Sequence, residues 1–402
     1  MSDPWLTLIG IGEDGVAGLG AASQAALSAA DVIMAPQRHL DLVVNAPLTT
    51  SVPAGTDLIP WPVPFADGIA ILASLRGQRV VVLASGDPFW FGAGSAIARS
   101  FGPDDWTALP GPSCFSLAAA QLGWALQDTH CRALHAAPMA RLRRDLVPGA
   151  QIIVTLRDGA AVAELAAYLT ARGFGDSALH VMERLGGPQA RVTQHMAHAL
   201  TGSFAHPVCV AITVAGYGAP LSTATGQADA TFASDGQMTK RAVRAITLST
   251  LAPTPGAHLW DIGGGSGTIA LEWLLSHPST RATTVEPRAD RASTITQNAA
   301  DLGVEHRLTL IQGAAPDALQ GLATPDAIFV GGGLSAALLD AVVAHPCRLV
   351  INAVTLEGEA LLAHAHASHG GDLTRIALSH AKPLGPKRGW SASYPVVQWS
   401  RP

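Results

Sequence analysis

Apolar residues along this chain fall into short uninterrupted runs, and the stretches between several of them carry apolar positions at helical spacing. In the first half LTLIGIG, VVVLASG, QIIVTLRDG, ALHVMERLG and PVCVAITVAG read as strands. ALSAADVIM, SAIARSF and an alanine-rich stretch between QIIVTLRDG and ALHVMERLG read as helices. In the second half TKRAVRAITLSTL predicts a helix, and HLWDIGGGSG, ATTVEP, LTLIQG, AIFVGG and RLVINAV predict strand-and-turn units. Strands and helices that take turns are the rhythm of an α/β protein, and the second set predicts a doubly wound sheet.

The rhythm breaks once. From Tyr217 to Asp235 the chain is Gly, Ala, Pro, Ser, Thr and small polar residues with no apolar period, which predicts a connection between domains. The expected organisation is a first domain over 1–215 made of two α/β subdomains, a linker over 216–236, and a second domain over 237–402. A chain of 402 residues is longer than one hydrophobic core usually serves, which agrees with that division.

Composition removes several function classes. Hydrophobic residues make up 48% and charged residues 14%, a balance that predicts a large core and excludes disorder. The net charge is -5 with no run of basic residues, so a nucleic-acid partner is not expected. Residues 1–236 hold 12 basic and 18 acidic side chains and residues 237–402 hold 13 and 12, which makes the second half the better anion binder. No apolar run approaches a membrane helix, and the start MSDPWLTLIGIG lacks a charged leader pattern, so no membrane association and a cytoplasmic location are expected. Cys114, Cys131, Cys209 and Cys347 stand far apart without metal-ligand spacing, and His364, His366 and His369 fall in a helical pattern without a paired acid. Reduced, structural cysteines and no metal are the expectation.

The chemistry concentrates where strands end. In the second half LWDIGGGSG at 259–267 passes from a strand through a glycine-rich turn into the helical TIALEWLL. Glycine lets backbone approach a ligand where a Cβ would collide. Gly263, Gly265 and Gly267 are spaced G-x-G-x-G, one residue short of the dinucleotide fingerprint, which disfavours NAD. Glu286 ends the next strand, where a carboxylate can accept from both ribose hydroxyls. Asp261 can orient the turn or accept from a cofactor ammonium. A tight turn without a ligand is the structural alternative.

With Met238-Thr239-Lys240, QGAAP at 312–316, FVGG at 329–332 and NAVTLE at 352–357, this ordered set resembles the class I methyltransferases that methylate C15 of a precorrin and decarboxylate it. Gly264 stands where those proteins often carry alanine. The resemblance implies an S-adenosylmethionine site made by Met238, Thr239, Asp261, Gly263, Gly265, Gly267, Glu286 and, at the adenine, Gln312, Gly313 and Ala314. It also implies that Gly331, Gly332 and Gly333 border the substrate.

The first half has Gly10, Gly12 and Gly15 after its first strand, ASGDPFWFG at 84–92 after VVVL, and PGPS at 110–113 before the helical CFSLAAAQLG. Ser113 is eligible as an ordinary helix cap. Together with APQRHL at 35–40, ERLGGP at 183–188 and VAITV at 210–214, this half resembles the class III tetrapyrrole methyltransferases of the C5-methylating type. Their S-adenosylmethionine lies in a cleft between two α/β subdomains, and the implied residues are Gly10, Gly12, Gly86, Asp87, Ser113, Glu183 and Gly187. His135 keeps the family's Leu-His but lacks the glycine-arginine pair common after it.

The pair of halves resembles the family of fused C5,15-methyltransferases (decarboxylating) of precorrin-6Y in cobalamin biosynthesis. What the resemblance implies is two S-adenosylmethionine sites per chain, methylation at C5 and C15, loss of the C12 acetate carboxylate to give precorrin-8, and a homo-oligomer. Positioning is the main catalytic task, because the electron-rich ring supplies the nucleophilic carbons; no general base is evident. Arg38, Lys382, Lys387 and Arg388 are the candidate partners of substrate carboxylates. RNA methylation by the second half and a non-catalytic S-adenosylmethionine-binding regulator are the alternatives, the first disfavoured by the missing basic face.

Overall fold

The computed structural model describes residues 4–45, 52–53 and 55–402. Two compact units result, one from the residues up to Met139 with Asp145–Ala219, the other from Ala140–Arg144 with Pro220–Pro402.

The first unit holds two sheets. Strands β1 (Leu6–Ile11), β2 (Val32–Ala35), β3 (Asp57–Pro60), β4 (Val80–Ser85) and β5 (Trp106–Leu109) form a parallel sheet in the order β3-β2-β4-β1-β5. The central strands are buried almost throughout, as expected of parallel strands covered on both faces. Strands β6 (Thr129–Ala133), β7 (Gln151–Thr155), β8 (Ala178–Glu183), β9 (Arg191–Met196) and β10 (Val208–Thr213) form the second, in the order β6-β7-β10-β8-β9, antiparallel except for β6 with β7. Between the sheets in sequence, helix Cys114–Leu122 starts at Ser113, whose Oγ accepts from Ser116 N–H at 3.1 Å, and stops at Gly123 in the left-handed region.

The second unit is built on β11 (His258–Ile262), β12 (Arg281–Glu286), β13 (Leu308–Gln312), β14 (Ala327–Val330), β15 (Arg348–Ala353), β16 (Asp372–Ile376) and β19 (Val396–Arg401), with β17 (Ser379–Leu384) and β18 (Lys387–Ala392) as a separate hairpin. The order is β13-β12-β11-β14-β15-β19-β16; the first five are parallel, and β19 runs antiparallel to both its neighbours. All carboxyl ends of the parallel strands therefore share one end of the sheet. Trp273, Leu274 and Phe329 belong to one core cluster, while Trp260, Ile351 and Trp399 belong to another. The helix Thr268–Ser276 is buried from Thr268 to Leu275, so it lies inside the layer rather than on its surface.

Two sequence expectations change. ALSAADVIM is not one helix: the helix Ala21–Ala29 ends, and Val32–Ala35 is strand β2. Asp31 takes both the backbone N–H and the guanidinium of Arg79, and the β-branched Val32 and Ile33 pair with β4, so sheet pairing overrides the local helical spacing. The segment expected as a linker is not free either. From Pro220 it belongs to the second unit, with Leu221 and Phe232 in the core and the N–H groups of Gly226 and Gln227 donating to the Glu272 carboxylate at 2.6 and 2.9 Å. Buried hydrogen bonds hold a segment that has no apolar period. Among the described residues no helix is long and apolar enough to cross a membrane.

Candidate cofactor and substrate sites

In the second unit, β11 delivers the chain into the turn at 263–267 under the helix Thr268–Ser276. Gly263, Gly265 and Gly267 have φ of +72°, +59° and +77°, values that favour glycine. The N–H groups of Gly263 and Gly264 donate to Val285 O at 3.0 and 3.2 Å, and Gly331 N–H donates to Ile262 O at 2.9 Å, tying the turn to β12 and to the end of β14. A Cβ on Gly263 would lie 2.7 Å from Gly332 O, one on Gly264 would overlap the Thr284 methyl, and one on Gly267 would lie 3.1 Å from Ile295. Gly265 and Gly332 differ. The nearest atom to a Cβ on Gly265 is Gln237 O at 3.7 Å, and Gly332 meets nothing within 4 Å. Three glycines thus let the protein pack on itself, while Gly265 has no close neighbour and Gly332 borders open space.

Glu286 is 2% exposed at the end of β12. Its Oε2 accepts Gly265 N–H at 2.8 Å and its Oε1 accepts Arg288 N–H at 3.1 Å, so each oxygen keeps a lone pair. Asp261 is 1% exposed, and its carboxylate accepts Ala270 N–H at 3.3 Å. Burial, with the charge of Glu286 added, raises its pKa to about 7. The bond to Ala270 N–H ties Asp261 to the start of the helix after the turn, the orienting role expected of it. Glu286 and Gln312 are register partners, and Gly313 N–H donates to Glu286 O at 3.2 Å, so Gln312, Gly313 and Ala314 adjoin Glu286.

Met238 packs against the core of this unit, and Thr239 O accepts from Arg244. Neither comes there through its own side chain alone. Asn298 donates to Ala233 O and Ser266 O at 2.9 and 3.0 Å and accepts Ala233 N–H at 2.8 Å, while Arg291 reaches Asp235 and Gln237. This clasp draws 233–237 over the glycine turn. A second one is the buried ion pair of Arg244 with Glu272, in which Arg244 also meets Asp229 at 3.1 Å and lies over the Phe232 ring. None of these residues was expected from the sequence, although a charge such as Arg244 on the apolar face of helix Arg241–Leu251 is a signal.

In the first unit the strands β4, β1 and β5 are neighbours, so the loops after them adjoin. Gly86 N–H donates to Ile11 O at 2.9 Å and Gly111 N–H to Gly86 O at 3.1 Å. A Cβ on Gly10 would overlap the Gly86 carbonyl oxygen, and one on Gly86 would lie 2.9 Å from Ser113 Cα. Gly10 and Gly86 thus allow backbone to touch backbone, and Gly12 adjoins the Asp14 carboxylate at 2.5 Å from such a Cβ. Asp87 accepts Phe89 N–H at 2.8 Å. Ser113 is the helix cap already described.

The loop after β8 reaches the same place. A Cβ on Gly187 would lie 2.6 Å from Glu13 Cβ. Glu183 itself is 2% exposed, paired with Arg191 at 2.6 Å and accepting Ala205 N–H. Burial works to raise its pKa, but Arg191 and the Ala205 N–H outweigh it and hold the carboxyl below its ordinary value. Each oxygen of Glu183 takes one donor from the protein, Arg191 on Oε2 and the Ala205 amide on Oε1, so the carboxylate also shapes the loop after β8. Arg38 pairs with Glu13 and donates to Ser85 Oγ at 3.1 Å, at the carboxyl end of β4. Burial, then the nearby Arg38 charge, hold His206 below its ordinary pKa.

Lys382, Lys387 and Arg388 lie on the β17–β18 hairpin, whose residues are exposed at each of these positions. β16 runs parallel to β15 through their shared partner β19, so the hairpin leaves the sheet at the end that carries the glycine turns. It does so beyond β15 and β19, and the three cations are not brought into contact with the turn. His135 is exposed beside Thr155 Oγ1 at 3.4 Å.

Comparison with known proteins covers both units. The family model described as a precorrin methyltransferase domain matches residues 230–401, and the one described as tetrapyrrole (corrin/porphyrin) methylases matches residues 6–200. A Sinorhizobium protein named precorrin-6Y C(5,15)-methyltransferase (decarboxylating) is 46% identical over 405 residues, covering 99% of this chain and 96% of that one. A Mycobacterium tuberculosis protein of the same name is 39% identical over 400 residues, with 98% and 99% covered. A crystal structure of the C-terminal domain of precorrin-6Y C5,15-methyltransferase from Rhodobacter capsulatus is 50% identical, covers 45% of this chain and 98% of that chain, and has a TM-score of 0.43.

Proposed function

The chain belongs to the precorrin-6Y C5,15-methyltransferase (decarboxylating) family, and on that premise we propose that each unit carries its own S-adenosylmethionine site and its own methylation. The first unit acts at C5. The second acts at C15 and releases the C12 acetate carboxylate as carbon dioxide, giving precorrin-8 in cobalamin biosynthesis. The division between the two activities falls near the passage from Ala219 to Pro220.

The observation that carries this reading is the buried Glu286 locked onto Gly265, the glycine of the 263–267 turn with no close protein neighbour at its Cβ position. S-adenosylmethionine supplies a methyl group on a positively charged sulfur. Around it, Glu286 would accept from ribose hydroxyls with its remaining lone pairs, Gln312, Gly313 and Ala314 would hold the adenine, and 238–239 would close over the turn. Gly331 and Gly332 would border the ring. In the first unit the interlocked loops at Gly10, Gly12, Gly86, Asp87, Ser113 and Gly187 would hold the cofactor largely by backbone groups. The protein's work in both units is to place a methyl against a nucleophilic ring carbon and to exclude water.

Substrate carboxylates would meet Arg38 in the first unit and Lys382, Lys387 and Arg388 on the hairpin of the second. The same hairpin supports self-association into a homo-oligomer, since every residue of β17 is exposed and Leu384 and Trp390 present apolar surface. Free thiols at all four cysteines agree with a reducing, cytoplasmic setting.

Calorimetric titration of the full chain with S-adenosylhomocysteine tests the double-site reading. Two sites are expected in the wild type and one in Glu286→Ala. A single site in the wild type would contradict it.

A further inference from the structure

At the carboxyl end of β4 three side chains from two elements close on one another. Arg38, in the helix Gln37–Val44, brings Nη2 to Ser85 Oγ at 3.1 Å and to His39 Nε2 at 2.8 Å, and the Ser85 hydroxyl lies 3.1 Å from the same ring nitrogen. A guanidinium has donors only, so Nε2 accepts and the ring proton of the neutral imidazole sits on Nδ1. Protonated His39 would set donor against donor beside a fixed charge. Burial first, then the Arg38 charge, lower its pKa to about 4, and the ring is 2% exposed. His39 is therefore a fixture beneath Arg38 and does not reach a ligand itself.

Arg38 also lines a cavity of about 350 Å³, with Glu13, Asp14, Asp41, Leu42 and Pro188 among its other walls. Arg38 Nη1 pairs there with Glu13, from the turn after β1. Asp41 is engaged by the Gln37 amide at 2.8 Å. The Arg38 side chain keeps 32% exposure and Glu13 keeps 16%, so the pair sits at a mouth open to solvent. That volume is at the lower end of the range for small-molecule pockets, about 300 to 1,000 Å³. It suits a substituent of a large ring better than the ring.

We infer that this cavity receives one carboxylate arm of a tetrapyrrole, with Arg38 as the cation, Glu13 as the resident counter-ion that the arm displaces, and Ser85 and His39 as positioning residues. The inference rests on the C5-methylation reading only for the identity of the arm. The arm takes the place of Glu13 on Arg38, the Glu13 carboxylate turns to the solvent at the mouth, and no covalent bond changes. Glu13 and Arg38 then act in opposite directions on substrate affinity, which a merely structural ion pair would not do.

The test is steady-state C5 methylation of precorrin-6Y by the full chain, with binding of uroporphyrin III and of its octamethyl ester followed in parallel by fluorescence. Arg38→Gln should raise the KM for precorrin-6Y about tenfold or more, the size of a lost charged hydrogen bond, with kcat and the KM for S-adenosylmethionine nearly unchanged. Glu13→Gln should lower it several-fold. Ser85→Ala and His39→Phe should shift it in the direction of Arg38→Gln, and His39→Gln, which keeps an acceptor, should stay closer to wild type. Uroporphyrin III binding should follow the same pattern and ester binding should not. If Glu13→Gln and Arg38→Gln both weaken binding, or if neither moves it in protein whose melting temperature is unchanged, the carboxylate site is wrong and the C5 reading stands. If the wild type transfers no methyl to C5 while uroporphyrin III binding follows the pattern, the C5 reading fails and the site stands.

Discussion

Glu286 and Gly265 are joined directly: the carboxylate that ends β12 accepts the amide of the central glycine in the turn after β11, at 2.8 Å. The acid and the turn, read in the sequence as two separate anchors, are one hydrogen-bonded unit. Glu286→Gln has a single side-chain acceptor oxygen for the two amides of Gly265 and Arg288, and one of them loses its partner. A loss of about 1–3 kcal/mol in the stability of the second unit is expected, together with weaker S-adenosylhomocysteine binding at one of two sites. Denaturant unfolding and calorimetry check both, and an unchanged unfolding free energy would show that the pair contributes nothing.

Asp261 makes the second unit sensitive to pH. Its folded-state pKa of about 7 lies above the ordinary value of 3.8, so the folded state holds the proton more tightly than the unfolded chain does. The contribution is fully present below about pH 4 and is lost as pH rises through about 7, at about 1.4 kcal/mol per pH unit between the two. Asp261→Asn cannot ionise and should flatten this part of the profile. Melting temperatures of both proteins from pH 4 to 8 check it; parallel curves would rule out Asp261 as the source.

Gly264 is fixed by Thr284. A Cβ there would overlap the Thr284 methyl, and Thr284 is fully buried. Gly264→Ala should destabilise the chain by about 1–3 kcal/mol, as overpacking does. Thr284→Ser removes the methyl and keeps the hydroxyl. In the double variant the two changes should compensate, with a coupling of about 1 kcal/mol or more, and strict additivity in a double-mutant cycle would refute the clash.

Arg244 and Glu272 form an ion pair out of contact with solvent, 0% and 2% exposed. Arg244→Met leaves the Glu272 carboxylate with only the two backbone amides of Gly226 and Gln227. The expected loss is about 3–5 kcal/mol, measured by denaturant unfolding, and proteolysis should then begin between 220 and 240. A loss below about 1 kcal/mol, the level of an exposed pair, would contradict the clasp.

Much of the site was legible because its signals are local. A glycine turn between strand and helix, an acid at the end of the next strand, and a serine before CFSLAAAQLG each carry their meaning within a few residues. Partners far apart in the chain were not. Nothing near Asn298 announces that it grips Ala233, and Gly264 looks interchangeable with alanine until Thr284 is seen beside it. Glycine alone was ambiguous as well: Gly10 and Gly86 serve backbone contact, whereas Gly332 borders open space, and only the packing separates them. The segment after Pro220 resembled a linker because its order comes from Arg244 and Glu272 rather than from an apolar period. That pair left a trace, since Arg244 shares a helix face with Thr247, Leu248 and Leu251, where an unpaired charge would be costly.

The proposal of two activities on one chain meets its most direct test in the stoichiometry of turnover. Full-length protein is incubated with precorrin-6Y and methyl-labelled S-adenosylmethionine, and the product is analysed by mass spectrometry and NMR while carbon dioxide is trapped. Two labelled methyl groups, at C5 and C15, and one carbon dioxide per product are expected, with Glu286→Ala leaving the C5 methyl alone. Transfer of a single methyl by the wild type, or of two methyls without carbon dioxide, would contradict the assignment.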